Sequence, residues 1–527
     1  MYDNIILGAG PAGLQCAYFF EKYNISYIIL ERNCECGSFF SSYPHSGKLI
    51  SINKKYTGSN NPEFNLRHDW NSLLTDDDFK FTDYSENLYP ESKDMVTYLN
   101  DFSKKYELKI KFNVDIDKIT KTSSDQYELS VKNTDLIYKC KKLIVATGLS
   151  KKIYPNINVI VNDKIKHYGD YPKGFFLQKD SLAEFKNKKV LILGGGNSGF
   201  ELANLLNEVT SSLMILTKSK RDFASISHYT GDIRSIYLPF IDTFFLKSLN
   251  VIDYLNSCTN LIITQNECKK YIVSLPNPNN SPIKNIEWDN IIFCTGFGFD
   301  NSIFGFNVEL TCNNKFPAIN NKFESLNNNN LYFIGTLMHS RDFRISAGGV
   351  ISGFRSLIKN FVYLNYNISY EVINYSLHND LNNLVECIMY NLNNSYSMYH
   401  MFGSIGDICY INTKDHYCLY YKKVPIDVFN KPNFDENIIY FVITLEYGIL
   451  KMPSIQEHGT FPKLNHSLRT TIGLENMGHL IHPVIHIYNN THTLIDKVSF
   501  AENLFASFND KSKYTDRIYR LFKSYLD

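Results

Sequence analysis

The chain has 527 residues, with 54 Lys and Arg against 53 Asp and Glu and a pI near 7.5. That length gives room for roughly two to four domains, and its near-neutrality gives no electrostatic reason to expect nucleic acid or an acidic membrane as partner. The longest apolar run, Ile438 to Leu445, is far too short to span a bilayer as a helix, and eleven scattered cysteines suit reduced thiols better than a disulfide framework.

The first predicted element is a buried strand, Asn4-Ile5-Ile6-Leu7, running straight into Gly8-Ala9-Gly10-Pro11-Ala12-Gly13. Leu14, Ala17 and Tyr18 then fall at helical spacing, and a second apolar run, Tyr27-Ile28-Ile29-Leu30, ends on Glu31 and Arg32. Strand, G-x-G-x-x-G, helix, strand and terminal acid make up the βαβ dinucleotide fingerprint. Gly8 permits the turn, Gly10 lets a pyrophosphate approach, and Gly13 lets helix and strand pack closely. Pro11 suits the first helical turn, where its missing N–H costs nothing, and the helix N-terminus favours the phosphates. Glu31 stands where an acid accepts from a ribose hydroxyl. This strand begins within four residues of Met1, which leaves no room for a signal peptide and predicts a cytoplasmic protein.

Beyond it, Leu49 to Asn53 looks strand-like, and Ser92 is the expected N-cap of an amphipathic helix to about Tyr106. An apolar strand then closes on Ala146-Thr147-Gly148. Near residue 190 the fingerprint recurs: Val190-Leu191-Ile192-Leu193 leads into Gly194-Gly195-Gly196-Asn197-Ser198-Gly199, with a helix from about Phe200 to Asn207. Its second strand ends on Thr217-Lys218-Ser219-Lys220-Arg221 instead of an acid. A basic cluster there, with Lys218 and Arg221 as the contacts, favours the 2′-phosphate of NADPH over NADH. Further strand ends follow at Thr295-Gly296 and Gly335, and Gly348-Gly349 opens a helix whose dipole could face a flavin or its pyrophosphate. After about residue 370 no nucleotide signature is present; Leu381 to Phe402 reads as a helix, three strands follow, and Ser512 to Leu526 reads as a closing basic helix.

Two such fingerprints with Ala146-Thr147-Gly148 between them resemble the two-dinucleotide-binding-domain flavoproteins. The resemblance implies an α/β fold in which residues 1–154 and 299–368 form a three-layer FAD-binding domain. An NAD(P)H-binding domain of residues 155–298 is inserted, and 369–527 form an α+β extension. Within that group the chain is similar to the flavin-containing monooxygenases. It carries the H-x-x-x-Y half of their motif at His167 to Tyr171, with Val161 and Asp163 where Phe and Gly would stand. That resemblance makes Asn53 the candidate to lie over the flavin. Longer runs at Gly37-Ser38-Phe39-Phe40, Phe64 to Leu74, His228-Tyr229-Thr230-Gly231-Asp232 and His482-Pro483-Val484-Ile485 resemble a narrower family of FAD-dependent oxidoreductase-domain proteins.

The implied cofactors are FAD and NADPH. Hydride would pass from NADPH to flavin, and the reduced flavin would then meet O2 and oxygenate a nitrogen or sulfur nucleophile of a small molecule. Two other classes stay open: a thiol–disulfide reductase acting on a protein thiol partner, and a flavoprotein whose redox state gates partner binding. The first needs a redox dithiol, and the only close pair, Cys34-Glu35-Cys36, is one residue too tight for C-x-x-C. His479, His482 and His486 are expected to be structural, with no metal site, because Pro483 interrupts any helix that would align them. For the extension, the open roles are capping the flavin pocket, homodimerisation and holding a partner protein.

Overall fold

The computed structural model describes residues 1–161, 164–218, 222–246, 251–254, 261–274, 286–428, 437–448 and 480–526. β1 (Tyr2–Leu7), α1 (Pro11–Lys22) and β2 (Ile28–Leu30) form the first βαβ unit. Its strands are apolar runs because both faces are covered. In register, Ile6 lies between Ile29 of β2 and Ile144 of a parallel neighbour. That neighbour is the longest strand of the sheet, and several elements precede it: α2 (Pro62–His68), α3 (Ser92–Lys105), β3 (Ile110–Lys111), β4 (Ile116–Lys121), β5 (Tyr127–Val131) and then β6 itself (Ile137–Val145). The order is β3-β2-β1-β6-β5-β4. The end of β6 runs parallel to β1, while its start pairs antiparallel with β5. One strand can thus belong to both a parallel nucleotide sheet and an antiparallel meander.

A short antiparallel ribbon, Lys151–Lys152 against Phe297–Gly298, joins this sheet to the second one. The second is wholly parallel, built from β7 (Lys166–His167), β8 (Lys189–Leu193), β9 (Ser212–Thr217), β10 (Val251–Tyr254) and β11 (Asn290–Phe293) in the order β10-β9-β8-β11-β7. The helix α4 (Asn197–Leu206) crosses between β8 and β9. The chain then returns to the first sheet through β12 (Leu331–Phe333), which pairs with β6, and α5 (Ile351–Asn365) packs on α1.

The rest forms a third layer. β13 (Val372–Ser376), α6 (Leu381–Asn394), α7 (Tyr396–His400), β14 (Ile405–Asn412), β15 (Tyr417–Pro425), β16 (Ile438–Tyr447), β17 (Ile481–Tyr488), β18 (Leu494–Ser499) and α8 (Asp516–Ser524) follow in order. The strands make one antiparallel sheet ordered β13-β15-β14-β16-β17-β18. Its core is continuous with that of the first sheet: Ile388, Phe441 and Phe522 belong to the same buried cluster as Ile5 and Ile144.

Three local expectations change. The helix expected over Leu381 to Phe402 breaks at Ser395, whose side chain accepts from the Met398 N–H and whose carbonyl accepts from Arg67 Nε at 3.2 Å. The cap of α3 is Glu91, not Ser92, because Glu91 and Asp94 exchange side-chain-to-backbone hydrogen bonds in a capping box. Leu49 to Asn53 makes no regular strand; Asn53 forms a lone bridge to Asp69.

Candidate functional site

The two glycine loops are near copies. Gly8 and Gly194 sit at φ +109° and +120°, where an L-residue is strained. A Cβ on Gly8 would come within 2.9 Å of the Ala146 carbonyl, and one on Gly194 would collide with that of Cys294. A Cβ on Gly13 would strike the Gly8 carbonyl, and one on Gly199 the Gly194 carbonyl, so each helix lies directly on its own turn. Gly10 and Gly196 differ from these: among the described residues nothing lies within 4 Å of where a Cβ would stand. Each loop therefore keeps one open face at a helix N-terminus, which is the cradle a pyrophosphate needs. Pro11 occupies the first turn of α1, and Ala12 meets Gly335, where a Cβ would collide with that of Ala12. Gly335 thus brings the end of β12 onto the first cradle.

The loops part company after their second strands. Glu31 is buried and accepts from the Ala9 N–H at 2.8 Å and the Asn33 N–H at 2.9 Å, which holds its carboxylate against the first cradle. Arg32 beside it is exposed. In the second unit the matching position is Thr217, buried, followed by exposed Lys218; Arg221 lies outside the described residues. An acid at one strand end and an exposed cation at the other suit an unphosphorylated and a 2′-phosphorylated ribose respectively.

The remaining predicted residues distribute around these cradles. Thr147 is exposed at the end of β6, and Gly148 beside it has φ +65°. Thr295 donates its hydroxyl to the Ile153 carbonyl, and Gly296 accepts from the Ile153 N–H at 3.0 Å, so this pair anchors the interdomain ribbon. Asn197 opens α4 but spends its side chain on protein: Nδ2 donates to the carbonyls of Gly231 and Asp232, and Oδ1 accepts from the Arg234 N–H at 3.1 Å. Ser198 is half-buried in the first turn of α4. Gly348 and Gly349 differ from Gly10. The space beside Gly348 is filled by the Asp342 carboxylate, and that beside Gly349 by the His339 ring at 2.8 Å.

Asn53 is buried, with Nδ2 donating to the Ser85 carbonyl at 2.7 Å while Oδ1 has no partner among the described residues. Its segment is clamped by Trp70, whose backbone N–H donates to the Ile52 carbonyl at 3.0 Å. The Trp70 ring meets His400 of α7 edge-on at 5.4 Å and lies 5.3 Å under the Arg234 guanidinium, so residues from all three layers converge on it. Burial, followed by the Arg355 charge, pushes His400 well below the usual histidine range.

Sequence reasoning missed two other features of this seam. Tyr229 Oη lies 2.9 Å from His339 Nε2, and His339 Nδ1 lies 2.8 Å from Asp342 Oδ1. With Asp342 accepting from Nδ1, a neutral His339 ring presents Nε2 as the acceptor for the tyrosine hydroxyl. Asp342 also accepts from the Ser346 hydroxyl and the Gly348 N–H, which fixes the chain against the start of α5. Burial raises the Tyr229 hydroxyl to about 12. The run His228 to Asp232 was legible as a motif but not as a contact, since the His339 partner of Tyr229 lies far along the chain. The second feature is Glu201 of α4, buried, which accepts from Tyr168 Oη at 2.7 Å and the Ser46 N–H at 2.6 Å. Glu201 thus joins the nucleotide units through Ser46, and Tyr168, inside the H-x-x-x-Y run, does so by accepting from the His45 N–H at 3.1 Å, while His167 caps its own turn by accepting from the Gly169 N–H.

The Cys34–Cys36 pair is unlike an active dithiol. Cys34 is exposed, Cys36 is buried, and burial pushes the Cys36 thiol up to about 11, so it is held protonated. Of the three C-terminal histidines, His479 and neighbouring Glu475 lie outside the described residues. His482 Nδ1 faces the Leu480 carbonyl at 3.0 Å, and His486 pairs with Glu446 at 2.5 Å.

The family model for pyridine nucleotide-disulphide oxidoreductases matches residues 5–335. The chain is 33% identical over 525 residues to the mouse FAD-dependent oxidoreductase domain-containing protein 2, covering 93% of this chain and 76% of the relative. The zebrafish protein of the same name is 32% identical over 475 residues, covering 81% and 67%. A probable indole-3-pyruvate monooxygenase of Arabidopsis thaliana, YUCCA8, is 26% identical over 226 residues, covering 41% of this chain and 47% of that one. Among solved structures, a flavin-containing monooxygenase from Stenotrophomonas maltophilia covers 69% of this chain and 98% of its own at 17% identity and a TM-score of 0.49. With two open glycine cradles at the ends of parallel strands and a family match across both, the chain belongs to the FAD-binding, NADPH-using pyridine nucleotide-disulphide oxidoreductase family.

Proposed function

We propose that this oxidoreductase is a monooxygenase: it binds FAD on the first cradle and NADPH on the second and passes an oxygen atom from O2 to a soft nitrogen or sulfur nucleophile of a small molecule. When bound, the flavin supplies the hydride and oxygen chemistry; the protein supplies the pocket. Glu31 and the Gly8–Gly13 loop hold the adenosine end of FAD, while Gly194–Gly199 with Lys218 and Arg221 hold NADPH. The Asn53 and Trp70 wall meets the nicotinamide side, and α7, docked against it, restricts water there. The observation that carries this reading over thiol–disulfide exchange is Cys36, whose thiol is buried and held protonated. The partial similarity to a probable plant monooxygenase points the same way.

Reduced holoenzyme mixed with O2 in a stopped-flow instrument tests the proposal. A long-lived absorbance distinct from both oxidised and reduced flavin, decaying faster with substrate, supports it. Direct return to oxidised flavin, or a charge-transfer band lost on Cys34→Ser or Cys36→Ser, favours an oxidase or a dithiol reductase instead. A cytoplasmic location is part of the same proposal, supported by the reduced-thiol reading of the cysteines, and cell fractionation tests it.

A further inference from the structure

Three arginines are buried among the described residues, and the fold itself holds two of them. Arg67 is 1% exposed and donates from Nε to the Ser395 carbonyl at 3.2 Å and from NH2 to that of Leu392 at 2.6 Å. Arg355 is 0% exposed and donates to the carbonyls of Asp69, Ser72 and Leu66 at 3.0, 2.8 and 2.6 Å. In both, backbone acceptors meet part of the planar fork and tie the layers together, with Arg67 NH1 and Arg355 Nε left over among the described residues. Arg234 is different. It is 8% exposed, yet among the described residues its guanidinium makes no hydrogen bond and no carboxylate lies within ion-pair distance. The contact it does make is with the Trp70 ring, at 5.3 Å. The groups around it that could carry a negative charge are the phenols of Tyr89 and Tyr237. Burial pushes the Tyr237 hydroxyl well up, so it stays neutral and offers no anion. A buried cation without a counter-charge is costly, and a fold that keeps one leaves its partner to a ligand.

Its place suggests which ligand. The Arg234 N–H donates to Asn197 Oδ1, and Asn197 is the first residue of α4, directly after Gly196, whose open face is the second cradle. The side chain meanwhile leans on Trp70, toward the first nucleotide unit. Lys218, at the end of β9, is the cation placed for the 2′-phosphate. We propose that Arg234 is the missing half of an oxyanion site, and that it binds the diphosphate bridge of the pyridine dinucleotide as it leaves the N-terminus of α4. The proposal rests on the reading that the second cradle holds NADPH. It divides the nucleotide between two cations: Lys218 distinguishes the phosphorylated ribose, and Arg234 holds what NADPH and NADH share.

The test is titration calorimetry of FAD-loaded protein with NADP+ and with NAD+, alongside melting of the same proteins without pyridine nucleotide. Arg234→Met should weaken both nucleotides by the same factor, about ten- to a hundredfold for a lost charge-assisted contact. Arg234→Lys should recover part of this, keeping the charge but not the fork. Without nucleotide, Arg234→Met should melt no lower than wild type, because it removes an unpaired buried charge; Arg67→Met and Arg355→Met should melt lower. Unchanged affinity for both nucleotides overturns the proposal while leaving the NADPH reading intact. So does a loss confined to NADP+, which would move Arg234 to the 2′-phosphate, or a fall in melting temperature matching that of Arg67→Met. Wild-type protein that binds neither nucleotide overturns the proposal and the reading together.

Discussion

The two glycine loops have the same backbone and different surroundings. Each has a strained first glycine, an open second one and a third pressed onto its own turn. The first loop is then closed by Glu31, tied to Ala9 and Asn33, whereas the second is followed by Thr217 and Lys218, with the Arg234 guanidinium nearby making no hydrogen bond among the described residues. Loop geometry makes a dinucleotide cradle, and on the proposed reading the charges set around it decide which dinucleotide.

The largest effects should come from the third glycines, where any side chain meets backbone. Gly13→Val should cost about 3 kcal/mol or more by overpacking and yield colourless, poorly folded protein. Gly199→Val should abolish NADP+ binding, and a yellow protein that no longer binds NADP+ would show that the two units fail separately. Flavin absorbance and calorimetry read both; loss of flavin from Gly199→Val would break the separation.

The open glycines give a finer test. Because nothing lies near their Cβ positions, Gly10→Ala and Gly196→Ala should melt within about 1 kcal/mol of wild type, while a methyl group stands where a pyrophosphate must approach. Gly10→Ala should therefore lose FAD affinity alone and Gly196→Ala NADP+ affinity alone, each about tenfold or more. Equal losses of both cofactors from either variant would contradict two independent cradles.

Smaller still is the charge contrast. Lys218→Glu should shift preference toward NADH by a few-fold to tenfold, about 1 kcal/mol for an exposed charge, read as the ratio of flavin reduction rates by NADPH and NADH. An unchanged ratio removes Lys218 from the site.

A separate effect, on stability and not on cofactor choice, concerns how the two units are joined. Burial raises the Glu201 carboxyl above its usual range, against hydrogen bonds from Tyr168 and Ser46. An acid whose folded pKa is raised contributes stability below its unfolded value, near pH 4.5, and loses it as pH rises through the folded pKa. Glu201→Gln should remove that loss and melt no lower than wild type at neutral pH, whereas Glu201→Ala should cost about 1–3 kcal/mol by leaving the Ser46 N–H unpaired. Melting curves across pH 4 to 8, roughly the carboxylate-to-neutral window, read the sign; a Gln variant that loses stability only at high pH would refute it.

Both cradles were legible in the sequence because a βαβ fingerprint is local: strand, turn and helix lie within about thirty residues, and each glycine answers to a neighbour in that span. The role of Gly348 and Gly349 was read by analogy with those loops, and there the structure differs, since Asp342 and His339 fill the space beside them. The H-x-x-x-Y run was visible as a pattern, but that Tyr168 would reach Glu201 and His45 was not. The strands of the extension were visible as apolar runs, yet their pairing order and the break at Ser395 depend on distant partners such as Arg67, at the other end of the chain's first half.

The sequence by itself determined that this chain carries two dinucleotide cradles, because short-range backbone sterics are written in consecutive residues. Only the tertiary structure decided what stands between them. Tyr229 facing His339, Trp70 between Arg234 and His400, and the extension sharing the core of the first sheet are all products of packing between distant segments. An arginine in a sequence carries the same charge whether it is satisfied or not. Among the described residues, a guanidinium that makes no hydrogen bond is what separates Arg234 from Arg67 and Arg355, and that is a property of the folded chain.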